Sequence, residues 1–357
     1  MDLGPLATTD AVRRFSSWLR GRLGRAVLAT YAAALLAPWP GQWLREPHPL
    51  PLVHLSAGLR VPPVLLGVLL FAAGFQVRAT ALSGLLRRPL GLLAALSLHL
   101  ALPLVLIPAL VLLLRGTPDA DHGSGIVTAM VLIVAMPVAA NATVWTAKGD
   151  GDQPAMVATV LGSTLLSPLT TPVVIAALGR LVRGGYADRL AVAARAAHGG
   201  LALTGIVLPC AAGVLCRAVL RRGRCGTWES GVGAAGLLAS LGTTYVNASG
   251  ALGPCLAHPR PLLVAACVVT AAGVCVASFV LGSAAGAVLR LNRGGRSSLA
   301  LACGMNNSSA GAVLISTALP DKPYLLMPVL TYGLVQKSVA GLVVRGARPA
   351  PSASPSR

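Results

Sequence analysis

The sequence predicts an all-α membrane protein whose helices cross the bilayer many times. Of its 357 residues, 55% are hydrophobic and only 11% are charged, so the chain has too little polar surface to cover a water-soluble core. The mean hydropathy of +0.74 indicates the same class. Basic residues stand in short clusters between long apolar stretches. These observations exclude a disordered chain and a disulfide scaffold.

Ten apolar windows are long enough to be transmembrane helices. The apolar core of a bilayer is about 30 Å thick and takes roughly 20 helical residues. Pro and Gly inside several windows are compatible with this assignment, because neighbouring helices in a membrane satisfy the freed backbone groups. The predicted helices cover approximately residues 25–44, 57–77, 89–114, 124–147, 153–179, 199–220, 231–252, 261–289, 298–319 and 323–344.

Positive charge predicts the orientation and the division of the chain. Ten helices put both termini on one side, where Lys and Arg are about twice as frequent as on the other, which favours cytoplasmic termini in a plasma membrane. We therefore attribute the net charge of +19 to membrane topology and expect no nucleic acid partner. A connection at 180–198 separates five helices (25–182) from five more (199–345), which predicts two inverted repeats. Residues 1–24 are expected to form a basic cytoplasmic segment, and residues 346–357 a disordered cytoplasmic tail.

Polar residues interrupt the apolar pattern at two matching places, in the fourth helix of each half. Residues 136–143 read MPVAANAT, and residues 304–311 read GMNNSSAG. Helix breakers beside amides and hydroxyls predict locally unwound helices whose freed backbone groups bind an ion or an anion. The alternative is close packing of small residues, with Asn side chains forming hydrogen bonds between helices. The candidate binding residues are Asn141, Thr143, Met305, Asn306, Asn307 and Ser308.

Other polar side chains also lie deep within predicted helices. Lys337 stands about 12 Å along the helix from Arg345, and a lone ammonium at that depth is costly unless it meets carbonyl groups or an anion. We expect Lys337 to face the interrupted helices in place of a metal cation. The alternative is that its helix is shifted and that the side chain reaches the interface. Four residues are expected either to line a cavity or to form hydrogen bonds between helices: His99, Thr243, Thr244 and Asn247.

Three stretches of the sequence resemble the bile acid:sodium symporter family. Residues 147–150 (AKGD), followed by 163–172 (STLLSPLTTP), are similar to its signature across the fourth and fifth helices, and residues 299–308 (LALACGMNNS) are similar to its ninth-helix signature. The resemblance implies a panel domain of helices 1, 2, 6 and 7 and a core domain of helices 3, 4, 5, 8, 9 and 10. It also implies that the discontinuous fourth and ninth helices cross in the core, and that organic anions are moved with sodium.

Most side chains that the resemblance would assign to sodium are missing. Ala302 stands where the ninth-helix signature has Glu, Asn306 where it has Gln, and Leu98 where the third helix usually has Gln. All ten acidic residues fall in tails, connections or helix ends, although anionic oxygens compensate a dehydrated cation best. At most a weak sodium site is therefore expected, through Asn141, Cys303, Met305 and Asn306.

The sequence thus predicts a secondary active transporter of a small or amphipathic organic anion that works by alternating access. The coupling ion is sodium, a proton carried by Lys337, or absent. We expect no cofactor and no enzyme activity, because the sequence contains neither a Gly-x-Ser-x-Gly segment with a paired His nor an Asp-rich magnesium motif. A channel and a transport-inactive membrane sensor or scaffold are the alternatives. The expected partners are the anion and the bilayer, and the oligomeric state is left open.

Overall fold

The described part of the chain is built from α-helices. The structure is a computed structural model that describes residues 5–47, 60–77, 89–115, 123–199, 201–220, 222–257 and 260–347. These ranges contain no β-strand. The β-type backbone pairing within them is one isolated antiparallel bridge, between Val138 and Asn306. The predicted helical class is confirmed.

In the described ranges, eight α-helices precede residue 180. Proline stands in the first turn of α3, α4 and α8, where its missing N–H costs no hydrogen bond. The start of α8 is also capped, because Asp152 Oδ1 accepts a hydrogen bond from the Ala155 N–H at 3.0 Å. The eight helices are α1 (Pro5–Gly21), α2 (Leu23–Leu36), α3 (Pro38–Trp43), α4 (Val61–Phe75), α5 (Pro89–Leu114), α6 (Ser124–Val134), α7 (Ala142–Lys148) and α8 (Gln153–Gly179).

Seven α-helices follow in the rest of the described chain. A π-helical segment, Leu201–Val207, leads into α10, and a 3₁₀ turn, Pro323–Leu325, leads into α15. The start of α13 is capped by Asn292, whose Oδ1 accepts from the Gly295 N–H at 2.8 Å. The helices are α9 (Gly185–His198), α10 (Leu208–Val219), α11 (Arg222–Ala257), α12 (Pro261–Val288), α13 (Arg293–Gly304), α14 (Ser308–Ala318) and α15 (Leu326–Ala347).

Helix length supports a multi-pass membrane protein. Among the described residues, four helices are long and apolar enough to cross a bilayer, and a fifth span results if the bent pair Gly185–His198 and Leu203–Val219 is counted as one. Four further apolar helices in the described ranges are shorter, and two of them, Ser124–Val134 and Ser308–Ala318, belong to predicted spans that are broken in the middle. The full set of ten spans therefore stays a prediction. The four long helices are Gly91–Leu114, Gln153–Gly179, Pro261–Val288 and Pro323–Gly346.

The connection expected between the two halves is itself largely helical. α9 lies within 180–198, buries a face that includes Tyr186 and Leu190, and packs against α8 and α14. Arg189 on its outer side forms a bidentate ion pair with Asp321, at 2.7 and 2.9 Å. Part of the positive charge of this connection thus belongs to the solvent-facing side of an amphipathic helix.

The helix α6 lies at the centre of the packed structure. All eleven of its residues, Ser124–Val134, are buried. Its neighbours include α5, α8, α14 and α15. Other protein elements therefore enclose α6 on all sides. The residues that follow its C-terminal end start from the interior of the protein and not from a surface in contact with lipid.

One pair of helices, α4 and α10, approaches so closely that only Gly fits at two of its contacts. On α4, a Cβ added at Gly74 would overlap the backbone carbonyl of Cys210 on α10, and one added at Gly213 would overlap the carbonyl of Phe71. Small residues permit this backbone contact, which is a common way to associate helices in membranes. The α4–α10 pair therefore depends on glycine.

We expect Gly74→Leu to destabilise the protein by about 1–3 kcal/mol, because the added side chain must push two backbones apart. Gly91→Leu is the matched control, since a Cβ at Gly91 meets no atom within 4 Å. Thermal unfolding of both purified variants in detergent measures the difference. Equal midpoints for the two variants would contradict the close contact.

Candidate functional site

Two interrupted helices meet at their breaks. α6 ends at Val134 and α7 begins at Ala142, whereas α13 ends at Gly304 and α14 begins at Ser308. Pro137 stands in the first break. At Gly304, beside the second, a side chain would overlap the ring of Phe279. Both predicted interruptions are therefore present in the structure.

The two breaks form a short antiparallel pairing, which we call the crossing. Val138 pairs with Asn306 in an isolated bridge. The Ala139 N–H donates to the Met305 carbonyl at 2.8 Å, and the Asn307 N–H donates to the Pro137 carbonyl at 2.9 Å. Backbone groups that each helix frees by unwinding are thus satisfied by the other helix, as an apolar environment requires.

Side chains of the second break are mostly occupied by structural hydrogen bonds. Asn307 Oδ1 accepts from the Ala310 N–H at 3.1 Å and so caps α14. Asn306 Nδ2 donates to the Tyr332 hydroxyl at 2.9 Å, and that hydroxyl donates to the Gly304 carbonyl at 3.2 Å. Sequence reasoning missed Tyr332, because a single Tyr in an apolar span has no distinguishing neighbours in the sequence.

Asn141 differs from Asn307, although it takes the same position at the start of a half-helix. Its side chain does not cap α7, and its buried Oδ1 has no donor in the described structure. The side-chain oxygens of Asn306 and Gln336 also lack a donor among the described residues. Gln336, which sequence reasoning did not select, places its Nε2 3.5 Å from Ser308 Oγ. Neutral amide oxygens therefore surround the crossing and remain available as acceptors.

His99 lies between the two interrupted helices, on α5. Its Nδ1 is 3.1 Å from the Ala302 carbonyl oxygen of α13, and its Nε2 is 3.2 Å from the Met136 carbonyl oxygen in the first break. Only 5% of its surface is exposed. His99 therefore contacts backbone groups of both interrupted helices.

A cavity of about 440 Å³ lies beside the first break. Its lining residues belong to α1, α2, α4, α10 and α11 and to α7, α8 and α15. No carboxylate is among the described residues that line it. Its polar lining includes three cations and three amides: Arg20, Lys148, Lys337, Gln76, Asn141 and Gln153. The chemistry of the cavity is therefore apolar with an excess of positive charge.

Lys337 faces this cavity and not the crossing itself. It is half-buried, and no hydrogen bond or ion pair joins its ammonium to another residue in the described ranges. Lys148 is held differently, since its Nζ donates to the Arg20 carbonyl at 3.2 Å and lies 5.1 Å from the centre of the Trp145 ring. Lys337 and Asn141 thus line the same cavity, and the expectation that Lys337 faces both interrupted helices stays a prediction.

Other predicted residues lie away from the cavity. Thr243 and Thr244 donate to carbonyls of their own helix, at Ala239 and Ser240, and neither they nor Asn247 line it. Thr143 does line the cavity, but no residue of the second break does. The structure therefore brings the two breaks together and gives only the first one access to the cavity. The candidate residues of the second break, which do not line the cavity, are Met305, Asn306, Asn307 and Ser308.

A family model described as the sodium bile acid symporter family matches residues 63–256, more than half of the chain. The chain belongs to this family. No curated protein matches it. The matched range includes the first break and most of the cavity walls, and it ends before the second break. Membership in the sodium bile acid symporter family makes the chain a multi-pass membrane transport protein.

The residues at the crossing do not fit a sodium site with anionic ligands. The name of the family includes sodium. Carboxylate oxygens compensate best for the hydration that a sodium ion loses on entering a protein. Ala302 offers only its carbonyl, which His99 already contacts, and the acceptors without donors are neutral amides. Among the described residues, no group of three or more His, Cys, Asp or Glu converges on one point. The side chains at the crossing therefore offer sodium no charged ligand among the described residues.

Replacing Tyr332 by Phe tests the side-chain support of the crossing. The variant leaves Asn306 Nδ2 and the Gly304 carbonyl without their partner in a buried place, which should cost about 1–3 kcal/mol. Tyr245→Phe removes one hydrogen bond, to the Ala37 carbonyl, at a distance from the crossing. We expect a lower unfolding midpoint for Tyr332→Phe than for Tyr245→Phe. A Tyr332→Phe midpoint equal to that of the unmodified protein would refute this support.

Proposed function

We propose that the protein is a secondary active transporter of an amphipathic organic anion that works by alternating access. The observation that carries this proposal is the cavity of about 440 Å³, which contains three cations and no carboxylate among its described lining residues. A neutral or cationic substrate would leave the Lys337 ammonium without a counter-charge in a largely apolar place. An anion with an apolar body matches both parts of the lining.

The size and lining of the cavity support a small organic molecule as substrate. About 440 Å³ lies within the usual range of ligand pockets, roughly 300–1,000 Å³. Leu and Val residues of α4 and α8 provide the apolar walls, whereas Asn141 and Gln76 provide amide hydrogen-bond partners. Lys337 supplies a positive charge on a helix that is long and apolar enough to span the membrane, and it has no counter-charge in the described structure. In this proposal Lys337 binds the anion and does not replace sodium.

The proposed architecture is ten helices in two inverted repeats, 25–182 and 199–345. Helix packing supports this arrangement, because α11 packs against α2 and α4, and α4 packs against α10, as expected for the panel domain that the family resemblance implies. α2, α4, α10 and α11 would belong to the panel, whereas the interrupted helices, α8 and α15 would belong to the core. Movement of one domain against the other then exposes Asn141 and Lys337 alternately to the two sides. The proposed location is the plasma membrane, with both termini cytoplasmic.

The experiment is anion uptake into proteoliposomes containing the purified protein, with taurocholate as the probe. We expect saturable uptake and counterflow. Lys337→Met should lower uptake at least about tenfold, because a loss of about 1.4 kcal/mol in anion binding already has this effect. Lys337→Arg keeps the charge and should transport better than Lys337→Met.

Lys322→Met is the matched control for this series. Lys322 lies between α14 and the 3₁₀ turn and does not line the cavity, so its replacement should leave uptake unchanged. Full uptake by Lys337→Met would remove Lys337 from the site. Current without counterflow would indicate a channel, and absence of both would indicate a protein that does not transport.

A further inference from the structure

The contacts of His99 require more hydrogen-bond donors than a neutral imidazole has. A neutral ring carries one N–H donor and one acceptor nitrogen, whereas an imidazolium carries two donors. Both neighbours of the His99 ring are carbonyl oxygens, of Ala302 at 3.1 Å and Met136 at 3.2 Å. In the neutral state, one ring nitrogen must therefore direct its lone pair at a carbonyl lone pair. Only the protonated ring satisfies both contacts.

The two carbonyls also lie where the backbone favours a positive charge. Ala302 has one of the last four carbonyls of α13, which ends at Gly304. Met136 follows the end of α6 by two residues. Helix C-termini carry a partial negative charge, so the ring lies between the negative ends of two half-helices. The backbone thus offers partial negative charge to a cation at this position without any carboxylate.

The described helices that pack against α5 contain no carboxylate and no second histidine. α5, which carries His99, packs against α6, α8, α12 and α13. α6, α8 and residues 135–141 contain no titratable side chain, and the titratable groups of α12 are Cys267 and Cys275. α13 contributes Cys303, which packs against α5, while its two arginines lie in its first turn, about two helical turns before Ala302. No carboxylate from these elements faces the ring.

We propose that His99 is the site that binds the proton with which this transporter couples anion movement. The inference rests on the proposed function, and it assigns the coupling ion that sequence reasoning left open. Binding adds one proton to the free ring nitrogen and forms an imidazolium that donates to Met136 and Ala302. Release of the proton removes one of these two hydrogen bonds. The proton thus holds the ends of α6 and α13 together at the crossing.

This position explains how a proton and an anion would influence each other. Met136 and Asn141 belong to the same break, so a change at the Met136 carbonyl reaches the residue that lines the cavity. If protonation favours the arrangement that binds the anion, bound anion must favour protonation to the same extent. The roles are then divided between two residues, since His99 binds the coupling ion and Lys337 pairs with the substrate.

The first test measures uptake of taurocholate into sodium-free proteoliposomes with and without an inside-alkaline pH gradient. Taurocholate is a sulfonate that stays ionised, so it does not follow the gradient by passive diffusion of a neutral acid. For one proton per anion, we expect about tenfold accumulation per unit of pH gradient in the unmodified protein. His198→Gln, an exposed histidine on α9, is the matched control and should respond equally. In His99→Gln the ratio of uptake with and without the gradient should fall to about one.

The second test does not depend on transport. A variant that keeps His99 as its only histidine, labelled with ¹⁵N, is titrated by NMR in lipid nanodiscs between about pH 5 and 8, where imidazole ordinarily changes charge. We expect both ring nitrogens to be protonated in part of this range and one to lose its proton in another. A ring that stays neutral throughout would overturn the proposal even if His99→Gln fails to fold.

The outcomes separate this inference from the proposed function. Counterflow of taurocholate without any response to the pH gradient would overturn the proton site and leave the transporter intact. An unchanged gradient response in His99→Gln would do the same. Absence of counterflow in the unmodified protein would overturn the proposed function, and the NMR titration would still decide whether His99 binds a proton.

Discussion

The structure depends on one mutual arrangement, in which two broken helices satisfy each other's backbone. An unwound segment in an apolar environment leaves N–H and carbonyl groups that water cannot reach. Here the Ala139 N–H and the Pro137 carbonyl find their partners in the second break, at Met305 and Asn307. Either break alone would leave buried N–H and carbonyl groups without hydrogen-bond partners. Each interruption therefore requires the other, and the crossing holds the polar groups of the site inside an otherwise apolar protein.

The crossing also separates two kinds of charge. On one side, carbonyl ends of α6 and α13 converge on His99, where the backbone favours a cation. On the other side, the cavity collects Arg20, Lys148 and Lys337, where side chains favour an anion. Both environments border the same short break, which begins after Val134 and ends at Asn141. A carrier that moves a proton with an organic anion needs both environments and a physical link between them.

The amides show why residue type predicted the site only in part. Asn141 and Asn307 have the same residue type and the same position before a half-helix, so sequence reasoning gave them the same role. The structure assigns the Asn307 oxygen to capping Ala310 and leaves that of Asn141 without a donor beside the cavity. His99 was predicted as a possible cavity residue because it is polar within an apolar span. Its two carbonyl contacts come from residues 37 and 203 positions away, which no local pattern contains.

The helical membrane class, the two interruptions and the family resemblance follow from the amino-acid sequence, because hydropathy, helix breakers and short signatures are local properties. The lack of acidic residues within the predicted spans is also visible along the chain. Which polar groups meet depends on the tertiary structure. The pairing of the breaks, the contacts of Tyr332 and Gln336, and the cavity that joins Arg20 to Lys337 depend on helices brought together from distant parts of the chain.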